Sequence, residues 1–312
     1  MKNRNYEIIV ECCQNHNGKW DNLERMVYDA VDAGAKFIKI QSIWAEDLTP
    51  RKRFEEGDPG HKPFPIIKRP YQSEYNRLLG LELSLEQQER FVDLCKSLGV
   101  IPMTTVFATH RLESVRSIGF EWLKIASYDC GSIHLLQKAK ELFPNVIVST
   151  GASYDSEIKR CASILGRALK GFLHAVTIYP TPLEEMNLAR MLWLRKFTPM
   201  IGYSDHSRPA ETGLIGSKSA ILLGAKWVER HFTVLCRDET RDGHVSINPA
   251  ELKELVEFAQ RPVETEDLRK ASDIVLGQAA RDLSIVELSN RDYYRGRFGE
   301  VKGDRIVYNF ED

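Results

Sequence analysis

Residues 7–41 read EIIVECCQNHNGKWDNLERMVYDAVDAGAKFIKIQ, and the change of hydrophobic period inside this stretch decides the fold. Glu7–Glu11 and Phe37–Gln41 are short apolar, β-branched runs, and the segment between them has helical length and amphipathic spacing before it stops at Gly34. Strand, helix, strand in that order is the parallel βαβ unit. The alternation continues through Ile101–Thr104, Trp122–Ile125, Val146–Ser149, Phe172–Val176, Met200–Tyr203 and Trp227–His231, which makes eight strands before about residue 260. Most of these runs are apolar at consecutive positions, as parallel strands covered by helices must be. Ser84 and Gln87 form a capping box at the start of LSLEQQERFVDLCKSLG, and Gly99 ends it. No glycine-rich phosphate loop follows the first strand, so closure is favoured over an open dinucleotide-binding sheet.

The expected fold class is therefore α/β: a (β/α)8 TIM barrel over 1–260 with a short C-terminal extension. That extension, 261–312, reads as a charged helical segment followed by a β-hairpin turning at Lys302-Gly303-Asp304. The longest connection runs from Ile43 to about Leu83 and is rich in Pro, Gly, charge and aromatics, the composition of a lid or binding loop.

Composition narrows the partners. Lys plus Arg number 43 against 44 Asp plus Glu, so no overall field favours nucleic acid or an anionic membrane, and any anion site must be local. The six cysteines form no CxxC pair and read as free thiols in a reducing compartment. The apolar run near the N-terminus is too short for a signal core or a membrane span, so a cytoplasmic location is expected.

If the barrel closes, its chemistry belongs at the C-terminal ends of the strands, where polar residues do collect. Glu11, Lys39 with Gln41, Thr105, Lys124 with Ser127, Ser149, Tyr179, Ser204-Asp205-His206 and Glu229 with His231 form a ring. Side chains two apart on a strand share a face, so Lys39 pairs with Gln41 and Glu229 with His231. Two lysines inside a mouth call for an anionic ligand, with the hydroxyls and Gly151 completing a phosphate or carboxylate cradle. A Lys–Glu network with Glu11 or Glu229 is the alternative. His206 and His231 end neighbouring strands about 5 Å apart, near enough to share one divalent metal. Manganese is expected first, with iron, cobalt, zinc or magnesium as substitutes. His16, His174 and His244 are reserves. Cys12 and Cys13 are read as small residues packed near the barrel floor rather than as metal ligands.

Several strings in order carry a resemblance: ECCQNHNGKWDNLERMVYDAVDAGAKFIKIQ, KIAS at Lys124–Ser127, STGAS at Ser149–Ser153, IYPTP at Ile178–Pro182, GYSDHS at Gly202–Ser207 and ERHFT at Glu229–Thr233. They cover nearly the whole barrel and resemble the N-acetylneuraminate (sialic acid) synthase family, with its relatives that make legionaminic and pseudaminic acids. The resemblance implies condensation of phosphoenolpyruvate with a metal-polarised, open-chain aldose or amino sugar, with water adding at C2 and phosphate leaving by C–O cleavage. It implies His206 and His231 as metal ligands. Lys39, Thr105, Lys124, Ser127, Ser149 and Ser204 fall at phosphoenolpyruvate positions, and Asn17, Gln41, Tyr179 and Asp242 at sugar-facing ones. Glu11, Asp205 or a metal-bound water would move protons.

The tail does not resemble the family's C-terminal antifreeze-like domain, which in a dimer lends an arginine to the partner's sugar pocket. Arg295 or Arg297 from the tail, or Arg51, Arg53 or Arg69 from the long connection, is the expected replacement. Homo-oligomerisation is expected. Two other readings stand beside this one: a related barrel aldolase using pyruvate or a phosphorylated sugar, with a Schiff base on Lys39 or Lys124, and a non-catalytic barrel that binds a sugar acid or serves as a partner subunit.

Overall fold

A computed structural model of the chain describes residues 6–303 and 305–310. Eight parallel strands close into a barrel: β1 Glu7–Cys13, β2 Phe37–Ser42, β3 Ile101–Val106, β4 Trp122–Ile125, β5 Asn145–Ser149, β6 Leu169–His174, β7 Ile201–Asp205 and β8 Trp227–His231. Each pairs with its sequence neighbour, and β8 closes on β1 with Glu11 opposite His231. The expected barrel is the observed one. Its strand ends differ by a few residues because ladder hydrogen bonds use only the backbone. β3 and β7 thus run on through the polar Thr105 and Asp205, whereas β6 begins at Leu169 and leaves the sheet before Ala175-Val176.

Period two sorts each strand between two cores. On β1, Ile8, Val10 and Cys12 face the helix layer, while Ile9 joins Phe37, Met103, Ile147, Leu173 and Trp227 inside the barrel. The indole of Trp227 fits there because Gly171 leaves room; a Cβ on Gly171 would lie 2.5 Å from its ring. This apolar plug closes the floor and leaves only the mouth for polar chemistry. Outside, the helix Trp20–Asp32 buries Leu23, Met26, Val27 and Ala30, spaced three and four apart as one helical face requires. Each large side chain buried there contributes roughly 1.5–3 kcal/mol. The Ser84–Gln87 capping box starts the helix Leu85–Ser97, as its sequence signature requires.

The long connection after β2 folds into helices Arg53–Glu56 and Tyr71–Leu79. Beyond the barrel come helices Glu266–Leu276 and Ile285–Tyr294 and the antiparallel pair β9 Gly299–Lys302 and β10 Arg305–Tyr308; the turn residue Asp304 lies outside the described residues. This tail folds back over the mouth. The Thr49 N–H donates to Arg297 O at 3.0 Å, Ser289 Oγ to Pro65 O at 2.6 Å and Asn290 Nδ2 to Thr177 O at 2.7 Å, joining the tail to the connections after β2 and β6. Among the described residues no helix is long and apolar enough to cross a membrane.

Candidate active site

Directly above the apolar plug lies a charged layer made of strand residues that point inward. Lys39 is ion-paired with Glu11 and stands 3.8 Å from Glu229 Oε2, and Lys124 Nζ donates to Glu229 Oε1 at 2.7 Å. Lys39 Nζ also donates to Thr105 Oγ1 at 3.1 Å, and Ser204 Oγ donates to Glu229 Oε1 at 2.8 Å. Two lysines and two glutamates therefore balance in a nearly dry layer, and the Lys–Glu network foreseen as an alternative is present. Burial pushes the Lys39 ammonium down to about 7, opposed by Glu229 and helped by Lys124. Burial raises the Glu229 carboxyl, but Lys124 and Lys39 outweigh it and hold the group well below the usual carboxylate range.

The layer forms the base of a cavity of about 520 Å³. Ser149 and Ser127 line one side. Ser127 Oγ accepts from the Gly151 N–H at 3.1 Å, and the buried Ser149 hydroxyl has no hydrogen-bond partner among the described residues. A Cβ on Gly151 would meet Ser127 Oγ at 2.9 Å and Thr177 Cγ2 at 2.7 Å, so only glycine fits this turn. Lysines and the free Ser149 hydroxyl suit an oxyanion.

The opposite side carries the imidazoles. The His206 and His231 ring centroids lie 5.2 Å apart, close to the spacing inferred from the sheet, and the Tyr179 ring packs against His206 at 4.4 Å, tilted by 59°. Burial holds His206 well below its ordinary value, with His231 adding to the effect, and brings His231 to about 4 against the pull of Asp242 and Glu229. Both rings are therefore neutral near pH 7, and the Nδ1 atoms of both are buried without hydrogen-bond partners. Neutral imidazoles with free nitrogens suit a divalent cation, so the donors present fit the metal that the sequence implied. Asp242 sits beside them with Oδ2 3.8 Å from His231 Nδ1, and Gln41 Nε2 donates to Cys13 Sγ at 3.2 Å.

Three expectations need correction. Asp205 cannot move protons in the cavity: it alternates with Ser204, so it faces the helix layer, wholly buried. There it pairs with Arg230 Nη1 at 2.8 Å and accepts from Ser207 and Ser217. Asn17 does not line the cavity; its amide donates to Glu239 O at 2.9 Å. Cys13 is not near the floor. It lies at the mouth end of β1 beside Asp242, whereas Cys12 does pack outward into the core. The arginine alternatives narrow to two, Arg69 from the long connection and Arg297 from the tail, which both line the cavity. Arg51 donates to Arg295 O, Arg53 pairs with Asp292 and Arg295 with Glu157.

The reserve histidines divide as well. His174 packs on Tyr203 and bonds Met186 O, His16 accepts from the Gly18 N–H, and His244 lines the cavity. The sequence reading missed Gln14, Arg77, Arg241, Asn290 and Tyr294, all in the lining. Glu74 gathers Arg77 and Arg297, whose charges outweigh burial and hold its carboxyl down to about 2. Glu74 and Arg77 are three apart on a helix, which in sequence looks like an ordinary surface pair. No local signal marked them.

Comparison with known proteins agrees with this architecture. The NeuB family model matches residues 26–267. The N,N'-diacetyllegionaminic acid synthase of Campylobacter jejuni is 30% identical over 262 residues, 80% of this chain and 73% of that protein. The spore coat polysaccharide biosynthesis protein SpsE of Bacillus subtilis is 30% identical over 302 residues, 93% of this chain and 78% of its own length. The crystal structure of an N-acetylneuraminic acid synthetase from Leptospira borgpetersenii, in complex with citrate, has a TM-score of 0.69 and 29% identity, covering 93% of this chain and 92% of that one. The chain belongs to the NeuB family and is a sialic acid synthase-like enzyme of the carbon–carbon bond-forming kind.

Proposed function

We propose that the enzyme condenses phosphoenolpyruvate with the open-chain aldehyde of a sugar, giving a 3-deoxy-2-keto sugar acid and phosphate. The observation that carries this reading is the juxtaposition of Lys39, Lys124 and the free Ser149 hydroxyl with two neutral imidazoles on the other side of one cavity. The lysines, with Thr105, Ser127, Ser149 and Ser204, hold the phosphate and carboxylate of phosphoenolpyruvate and orient its C3 toward the aldehyde. His206 and His231 would hold a divalent cation, manganese first, which when bound supplies Lewis-acid polarisation of a carbonyl oxygen. Glu11 accepts the proton of the water that adds at C2, with Lys39 and the Cys13 N–H, 2.7 Å from Glu11 Oε1, fixing its carboxylate. Tyr179, Gln41, Arg69 and Arg297 face the sugar, over which the long connection and the tail exclude water.

The test supplies phosphoenolpyruvate, Mn²⁺ and a panel of aldoses and N-acylated amino sugars to the purified chain. Phosphate release that depends on one sugar is expected; none with any sugar, in folded protein that binds the metal, refutes the reading. His206→Ala is expected to lose metal and activity together. One observation favours a second reading: an amine at about 7, as burial makes Lys39, is a competent Schiff-base nucleophile. Borohydride trapping of pyruvate on Lys39 would select that aldolase over the synthase.

A further inference from the structure

We infer that Cys13 is a thiolate ligand of the cation held at His231, with Asp242 as an oxygen donor, so that the centre is a mixed sulfur, nitrogen and oxygen site. The inference rests on the proposed metal site and goes beyond it by adding donors that the two-histidine reading lacks. Cys13 Sγ, a ring nitrogen of His231 and a carboxylate oxygen of Asp242 all lie within 4.8 Å of one another. Cys13 Sγ is 2.9 Å from Asp242 Oδ2, and His231 Nδ1 is 3.8 Å from the same oxygen. Metal bonds of about 2.3 Å to sulfur and 2.0–2.2 Å to nitrogen or oxygen span donors at such separations. The His231 Nδ1 atom is the independent pointer to a ligand. It is on a residue only 8% exposed, it has no hydrogen-bond partner, and it stands 3.8 Å from the Asp242 carboxylate.

The three donors come from separate elements, and the fold holds them together. A β-bulge shifts the β1 register between Glu11 and Cys13, and Cys13 adopts a left-handed φ of 50°, which costs a non-glycine residue conformational energy. The Cys13 N–H is tied to Glu11 Oε1 at 2.7 Å. Two residues on, Asn15 Nδ2 donates to Phe232 O and to Ser246 Oγ, and Ser246 Oγ donates to Asp242 O at 2.7 Å. One hydrogen-bonded chain therefore locks the end of β1 against the segment after β8 that carries Asp242. Gln41 Nε2, 3.2 Å from Cys13 Sγ, supplies the outer hydrogen bond that a ligating sulfur accepts. When a cation binds, the Sγ–H bond breaks, its electron pair passes to the metal–sulfur bond, and the proton leaves to solvent. A sulfur ligand turns the site's preference toward zinc, cobalt and iron and away from magnesium.

The purified full chain, stripped with chelator, is titrated with Co²⁺ and its absorption spectrum followed. A thiolate-to-cobalt charge-transfer band in the near ultraviolet, together with visible ligand-field bands, is expected. Cys13→Ser should lose the charge-transfer band and keep ligand-field bands, while Cys236→Ser, which removes the one exposed cysteine, should leave the spectrum unchanged. Ligand-field bands without charge transfer in the unaltered chain overturn the inference but leave the histidine site standing. Failure to bind cobalt at all overturns both. The unaltered chain decides the matter even if Cys13→Ser does not fold.

Discussion

Glu229→Gln probes the charged layer beneath the proposed anion site. Glu229 is only 1% exposed, and its carboxylate lies 2.7 Å from Lys124 Nζ and 3.8 Å from Lys39 Nζ. Lys39 retains Glu11 in the variant, but Lys124 is left facing a neutral amide. Removing one partner of a buried pair costs about 3–5 kcal/mol; the low end applies because the glutamine oxygen still accepts from Lys124 and Ser204, and Lys124 borders the cavity. With an unfolding entropy of about 2.1 cal/mol/K per residue over 312 residues, about 3 kcal/mol lowers Tm by about 5 °C. The Lys124 ammonium also loses its anionic partner, so an added oxyanion that pairs with it should recover part of the loss. A tenfold gain in phosphate affinity, about 1.4 kcal/mol, returns about 2 °C at saturation. Scanning calorimetry of the metal-free chain, with and without inorganic phosphate, measures both. A variant as stable as the parent, or equal stabilisation of the two by phosphate, refutes the view that Glu229 neutralises these lysines.

Other consequences can be checked independently. Burial brings His16 and His174 from the ordinary 6.5 down to about 4. Being depressed bases, they leave stability intact above pH 6.5, and it falls as the unfolded chain takes up protons between 6.5 and about 4. The loss at pH 5 is about 2 kcal/mol for each, or about 6 °C in Tm for the two; a Tm unchanged from pH 7.5 to 5 contradicts this. Asp205→Asn should destabilise by about 3–5 kcal/mol through the orphaned Arg230, while the folded fraction keeps its KM for phosphoenolpyruvate. A stable but inactive Asp205→Asn would instead restore Asp205 as a catalytic group. Arg297→Ala should raise the KM for the sugar and leave that for phosphoenolpyruvate unchanged, because Arg297 stands at the rim with Glu74 rather than in the lysine layer. Initial rates with each substrate varied separately decide this.

What residues 7–41 and the six strands that follow them determined alone was the barrel, since a change of period between strand and helix is a local property and eight such strands leave few ways to close. Lys39, Lys124, Ser149, Ser204, His206 and His231 were legible for a related reason: strand ends map onto one rim whatever the tertiary details. Parity within a strand was not legible, because period two says that Ser204 and Asp205 face opposite ways but not which of them faces in; barrel closure decided that, and sent Asp205 to Arg230. The bulge that lifts Cys13 to the mouth is a register shift between two strands, which no single run of residues encodes. The rim of Arg69, Arg77 and Arg297 depends on contacts between segments more than two hundred residues apart. Such pairings have no period to betray them, and they exist only once the tail has docked over the barrel mouth.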